Sequence, residues 1–339
     1  MHTSLEEEKN GFKKLAAFYE ARAKGGVGLI VTGGISPNFR GRVSPFGCEL
    51  SKWWHVKKHK AVTKAVHKYP TKICLQLLHT GRYGFHPFSV SASNIQAPIN
   101  PFKPKALSER QIWKTINDFA KSSDLAHQAG YDGVEVMGSE GYLINQFSCK
   151  RTNDRTDNWG GSIENRMRMG VEIVKAIRQR VGEKFIIIFR LSMIDLVEGG
   201  NTWDEVITMA KAIEEAGATI INTGIGWHEA RVPTIATSVP RAAFTWVTEK
   251  LMGEVNIPLV STNRINTPEV AEQVIASGQS DMISMARPFL ADAEFVNKAA
   301  ENKADEINTC IGCNQACLDH VFKQQRVSCL VNPEACYET

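Results

Sequence analysis

The chain has 339 residues, 43% hydrophobic and 22% charged, enough for one large globular domain or two average ones. Its net charge of +4 is spread thinly, so no basic block argues for nucleic acid, and no apolar run reaches the length of a membrane span. The opening MHTSLEEEKN lacks the basic and apolar regions of a secretory leader, so a cytoplasmic, reducing location is expected. There, clustered cysteines point to metal or redox chemistry rather than to disulfides.

In chain order, a helix is expected over 6–24, with Glu6, Glu7 and Glu8 in its first turn. It runs into AKGGVGLIVTGG (23–34), where a helix ending near glycine gives way to a short apolar strand. The same beat returns in HQAGYDGVEVMG (127–138), EEAGATIINTG (214–224) and IASGQSDMISMA (275–286). Further strands are KICLQLLH (72–79), KFIIIFRLS (184–192) and IPLVST (257–262). Helices are expected over 51–69, where Trp53 and Trp54 read as packing residues, and over 108–129, 162–181, 202–216, 241–252, 267–277 and 288–300. The Pro- and Ser-rich stretch 86–109 is long for a loop and reads as a structured insertion. Strands apolar on both faces, alternating with helices, indicate a parallel α/β sheet. No G-x-G-x-x-G turn opens a helix, and the regular repeat fits a (β/α)8 TIM barrel over 1–303 that lacks its first strand in this chain, followed by a cysteine-rich segment over 304–339.

In such a barrel the functional residues sit at the strand ends. They include Gln76 after the third barrel strand, Tyr142 after the fourth, Arg190 inside the fifth, His228, Glu229 and Arg231 after the sixth, Arg264 after the seventh and Arg287 after the eighth. A charge inside an apolar strand costs free energy unless paired, so Arg190 is either in a buried ion pair or facing an anionic ligand. Arg264, with Ala286 and Arg287 opening a helix whose first turn holds Pro288, forms the expected phosphate site. Tyr142 and His228 read either as loop structure or as proton-handling residues.

Cys310, Cys313, Cys317 and Cys329 follow the spacing C-x2-C-x3-C-x11-C. This pattern leans to iron–sulfur ligation, with zinc and structural thiols as alternatives. Cys336 is left over, and Cys48, Cys74 and Cys149 are scattered and read as inert.

The segments LQLLHTGRY, YDGVEVMGSEGYLINQF, RTNDRTDNWGG, TGIGWHEARVPTIAT, MARPFLAD and CIGCNQACL resemble the Old Yellow Enzyme-like flavin barrels, and within them the bacterial NADPH-dependent 2,4-dienoyl-CoA reductases. The resemblance runs essentially the whole length. It implies FMN across the barrel mouth, with Met1 against the ring, Gln76 on the pyrimidine edge, Arg190 near the N1/C2 carbonyl end, and Arg264, Ala286 and Arg287 on the phosphate. It implies Tyr142 as proton donor assisted by His228, an acyl-CoA facing His228, Glu229, Ala230, Arg231 and Arg151, and a [4Fe–4S] cluster on Cys310, Cys313, Cys317 and Cys329. Hydride addition at the δ carbon and protonation at the γ carbon would leave a 2-enoyl-CoA, in β-oxidation of unsaturated fatty acids. FAD and NADPH are expected on a domain outside this chain or on a partner subunit. The related amine dehydrogenases and bile-acid or enoate reductases share the barrel and the cluster, and an inactive remnant is a third reading.

Overall fold

Runs such as LIV, KICLQL and IIIFRLSMI are apolar at most positions, which suits strands covered on both faces. The computed structural model describes residues 1–339 and places these runs in one parallel sheet. The elements are α1 (Gly11–Lys24), β1 (Leu29–Val31), α2 (Val56–Val66), β2 (Lys72–Leu77), β3 (Val90–Ser91), β4 (Lys105–Ala106), α3 (Glu109–Gln128) and β5 (Gly133–Gly138). They continue with α4 (Leu143–Ser148), α5 (Ile163–Val181), β6 (Ile186–Ile194), α6 (Trp203–Glu215), β7 (Ile220–Ile225), α7 (Thr245–Glu249), β8 (Leu259–Ser261), α8 (Pro268–Ala276), β9 (Met282–Ile283), α9 (Arg287–Ala291), α10 (Phe295–Ala300) and α11 (Leu318–Phe322).

The seven main strands pair in the order β1-β2-β5-β6-β7-β8-β9, all parallel, as a curled sheet of TIM-barrel type. Their carboxyl ends therefore open onto one mouth. Local signals start the long helices. Ser108 with Gln111 and Thr202 with Glu205 form capping boxes on α3 and α6, and Pro268 opens α8. The 86–109 insertion is structured, carrying the two-stranded β3–β4 pair. Arg155 ties it down by donating to the carbonyls of Ala92 (3.0 Å) and Leu107 (2.6 Å).

β1 and β9 are the two ends of the sheet and do not pair with each other. The elements beside them nonetheless meet. A Cβ on Gly25, at the end of α1, would stand 1.9 Å from the carbonyl oxygen of Ala293, so only glycine permits this approach. The cysteine-rich tail joins the same contact. Val327 donates its N–H to the Thr3 carbonyl, Arg326 pairs with Glu8, Arg22 with Glu338, and Asn332 donates to the Ala291 carbonyl. Val327, Ala335 and Cys336 belong to the single large hydrophobic core, so the 304–339 segment is built into the barrel rather than set apart from it.

Several local expectations are corrected. The first helix starts at Gly11, not residue 6, because Asn10 takes a left-handed conformation (φ 59°). Glu6 is buried and accepts from the Thr3 hydroxyl, and Glu8 binds Lys14 and Arg326, so this acidic run is not a helix N-terminus. The 288–300 helix is broken into α9 and α10, because Asp292 spends its carboxylate on the Glu294 and Asn308 N–H groups and on Lys298. The 241–252 helix shrinks to α7. Trp53 and Trp54 are 75% and 55% exposed and pack edge-on against each other rather than into the core.

His59 on α2 is 1% exposed, packs edge-on against Phe12 and holds the Tyr131 hydroxyl at 3.0 Å from Nδ1. Burial pushes its pKa from 6.5 down to about 3. The unfolded chain therefore takes up a proton at His59 below pH 6.5 that the folded chain refuses, so this contribution to stability is present above pH 6.5 and declines as pH falls toward 3. Between pH 7 and pH 5 the decline from His59 alone is about 2 kcal/mol. Urea unfolding at the two pH values should show a smaller acid loss in His59→Gln than in the parent. Equal losses would refute the assignment.

Candidate active site

Three side chains from neighbouring strands meet inside the barrel. Glu135 on β5 is 0% exposed. Gln76 on β2, its register partner, donates from Nε2 to Glu135 Oε1 at 2.7 Å, and Asn222 on β7 donates from Nδ2 to Oε2 at 2.7 Å. A carboxylate this deep is tolerated only because both oxygens are hydrogen-bonded. Toward the mouth, Arg190 on β6 binds the Glu140 carboxylate at 3.0 Å through Nε and 2.8 Å through Nη2. Of the two sequence readings of Arg190, the ion pair is the one observed, and it lies at the mouth. Met1 sits close to Arg190, Glu135 and Gly33.

The turn after β5 aims Tyr142. Glu140 and Gly141 are both left-handed (φ 54° and 81°), and a Cβ on Gly141 would stand 2.6 Å from the Tyr83 hydroxyl and 2.7 Å from the Trp227 ring. Gly141 is therefore required both for its conformation and for space. Tyr142 Oη lies 2.7 Å from His228 Nε2, and their rings meet edge to face at 5.0 Å. Tyr83 packs edge-on against both. Burial, reinforced by Glu140, raises the Tyr142 pKa above the ordinary tyrosine range. Burial lowers the His228 pKa, with Glu140 opposing, although the ring keeps an open edge at the rim. At neutral pH both groups are uncharged, a phenol and an imidazole sharing one hydrogen bond.

Of the four HEAR residues expected to face an acyl-CoA, Glu229 turns inward. Its carboxylate is almost wholly buried and holds Arg82 at 2.6 Å, Tyr83 at 3.0 Å and Arg151 at 2.8 Å. Arg151, a candidate for acyl-CoA binding, is thus engaged by Glu229 and also donates to the Glu198 carbonyl. The cluster fastens the loop that carries His228. Ala230 lies in the turn behind Trp227, and Arg231 is exposed beside the mouth.

On the other flank, Arg264 and Arg287 carry no carboxylate partner. Arg264 donates to the Val239 carbonyl at 2.8 Å, Arg287 to the Asn314 side chain, and Arg241 lies near enough to repel Arg264. Burial first, then Arg287, depresses the Arg264 pKa, a strain that an anion would relieve. Ala286 precedes α9, which is only five residues long, so an anion here would be held by the arginine side chains rather than by a helix terminus. The cysteine loop begins here: Asn266 donates to the Cys310 carbonyl at 2.7 Å and Thr237 to the Ile311 carbonyl at 2.7 Å. Cys310, Cys313, Cys317 and Cys329 line one small recess together with Leu290 and Arg287. All four are free thiols, and no three come within 4.8 Å of one another. Cys336 is buried in the core, with its thiol pushed up to about 12.

Glu135, Asn222, Glu140, Tyr83, Arg82 and Asn266 escape the sequence reading. Only Glu135 carried a usable signal, a charge inside the apolar run GVEVMG.

No helix is long and apolar enough to cross a membrane. The model of the NADH:flavin oxidoreductase / NADH oxidase family matches residues 1–306. The chain is 39% identical to a metal reductase of Desulforamulus reducens, over 99% of this chain and 51% of that protein. It is 35% identical to an NADH oxidase of Thermoanaerobacter brockii, over 99% and 53%. Its fold superposes with a TM-score of 0.92 and 32% identity on a 2-naphthoyl-CoA reductase in complex with 2-naphthoyl-CoA, covering 96% of this chain and 52% of that one. The chain thus spans about half the length of these relatives. A curled parallel sheet with polar strand ends at one mouth, together with these matches, shows that the chain belongs to the NADH:flavin oxidoreductase / NADH oxidase family of old yellow enzyme-like FMN oxidoreductases.

Proposed function

We propose that the chain is the flavin-bearing part of an ene-reductase that adds two electrons and two protons to a 2,4-dienoyl-CoA, yielding a 2-enoyl-CoA. The observation that carries this reading is the neutral Tyr142–His228 pair at 2.7 Å beside the Arg190–Glu140 ion pair. A phenol held above its usual pKa keeps its proton until a carbon base appears, and His228 can return one to it from the solvent side. Tyr142 would protonate the γ carbon, balancing hydride addition at the δ carbon. Exposed Arg231 offers charge for the CoA phosphates. The solved structure of a related acyl-CoA reductase, 32% identical, is in keeping with a thioester substrate.

The residues present fit FMN. Gln76 offers an amide, Arg190 a cation at the mouth, and Arg264 with Arg287 an uncompensated positive site for a phosphate. Bound FMN would supply hydride chemistry, and a [4Fe–4S] cluster one-electron transfer. The cysteines also fit the cluster better than zinc. Tetrahedral zinc about 2.3 Å from each sulfur would draw all four within about 4 Å. No three of the thiols lie within 4.8 Å of one another, and all four line one recess beside Arg287. Electrons would come from an FAD- and NADPH-bearing reductase domain or subunit.

Three outcomes are expected. Tyr142→Phe should lower turnover of a 2,4-dienoyl-CoA by a factor of roughly 10² to 10⁴ while the flavin absorbance stays, whereas unchanged turnover would remove the proton-donor role. Because burial holds the His228 pKa below the ordinary histidine value, any acid-side decline in turnover should set in at lower pH than for a free imidazole, and that decline should vanish in His228→Gln. A decline already centred above pH 7 would contradict it. Anaerobically isolated protein should carry iron and acid-labile sulfide in equal amounts, lost in Cys317→Ala. Zinc in their place would overturn the cluster assignment. Dithionite-reduced protein that ignores dienoyl-CoA, set beside oxidised protein that consumes a methylated amine, would favour the amine dehydrogenase reading instead.

A further inference from the structure

We propose that Glu135 is a positioning residue for cofactor recognition: by taking one amide proton from Gln76 and one from Asn222, it decides which end of each amide faces the barrel mouth. The inference rests on the placement of the FMN pyrimidine edge at Gln76 given above, and not on the choice of substrate.

An ionised carboxylate only accepts hydrogen bonds. Glu135 has one amide within 2.7 Å of each oxygen, so both amides must turn their nitrogens toward it. The orientation of a side-chain amide is otherwise ambiguous, and here the chemistry of its partner settles it. Gln76 is left with its Oε1 and one N–H free. Its Oε1 lies 3.1 Å from where a Cβ on Gly34 would stand, on the side of β1 and the mouth. Asn222 is left with Oδ1, a buried acceptor that has no partner in the protein. A buried acceptor left without a donor is costly, which suggests that the donor is a ligand. The imide edge of a flavin alternates acceptor, donor and acceptor. A free carbonyl next to a free N–H on Gln76 matches two adjacent positions of that edge, and a flipped Gln76 would not.

The two amides are the only side chains that hydrogen-bond Glu135, although the Met1 amino group lies nearby. No lysine or arginine contacts Glu135, and Arg190, one strand away, is occupied by Glu140. The pleat explains the grouping. Gln76 and Glu135 are side by side in register across β2 and β5, while Asn222 is reached from two strands further round the curl.

The test is a titration of flavin-free protein with FMN and with 3-methyl-FMN, whose imide N–H is blocked, followed by flavin fluorescence, with thermal melting as a check on folding. The parent should prefer FMN by about tenfold or more, the value of one hydrogen bond. In Glu135→Gln the new amide can accept from only one neighbour and must donate to the other. FMN affinity should then fall by about tenfold, and the preference over 3-methyl-FMN should collapse toward unity at an unchanged melting temperature. A variant that binds both flavins more weakly but keeps the parental preference would overturn the proposal, since bulk packing alone would do that. If Glu135→Gln does not fold, Glu135→Asp, which keeps the charge and loses the reach, is read in the same way. Gln76→Ala separates the two layers of inference. If it keeps the parental preference, the placement of FMN is wrong; if it loses the preference while Glu135→Gln keeps it, only the role of Glu135 is wrong.

Discussion

A carboxylate cut off from water must be matched by donors that cannot leave, and the barrel interior is organised around one such group. Glu135 draws Gln76 from β2 and Asn222 from β7 toward β5. An unsatisfied charge at this depth would cost several kcal/mol, so the three side chains behave as one unit. Arg190 and Glu140 repeat the arrangement one layer higher, where the partner is a cation. The polar floor of the mouth is thus preorganised before any ligand arrives, as electrostatic recognition of a cofactor requires.

The loop chemistry above that floor depends on two further anchors. Glu229 locks Arg82, Tyr83 and Arg151 together and so fixes the segment from which His228 reaches Tyr142. On the opposite flank, Asn266 and Arg287 bind the cysteine loop while Arg264 lies against Gly312. The arginine pair and the thiol recess therefore share Arg287. A rearrangement of the cysteine loop would reach Arg287 through its hydrogen bond to Asn314 and Arg264 through its close approach to Gly312.

Much of this was legible in the chain. The alternation of helix and apolar strand placed all seven strands, because parallel strands buried on both faces have no polar face to blur the signal. Arg190 stood out as a charge inside an apolar run, and it does lie at the mouth. The same logic applied to Glu135 within GVEVMG, yet its partners are 59 and 87 residues away, and no local pattern connects them. Glu229 shows the converse. It adjoins His228 in sequence, but its side chain points the other way, because Arg82 and Arg151 outcompete water for it. The acidic run at 6–8 looked like a helix start and proved to be a buried acceptor and a tether for Arg326, since tertiary partners outweigh a dipole term of under about 1 kcal/mol.

By itself the sequence determined the strand order, the mouth and the residue types that line it. Periodicity and strand ends are local properties, and a parallel sheet converts them directly into position. Only the tertiary structure decided which charges pair with each other and which remain free for a ligand. Arg190 is paired and Arg264 is not, Glu135 holds two amides, and the four thiols line one recess. The physical reason is that pairing is a competition among groups tens of residues apart, settled by distance and burial once the chain has closed around them.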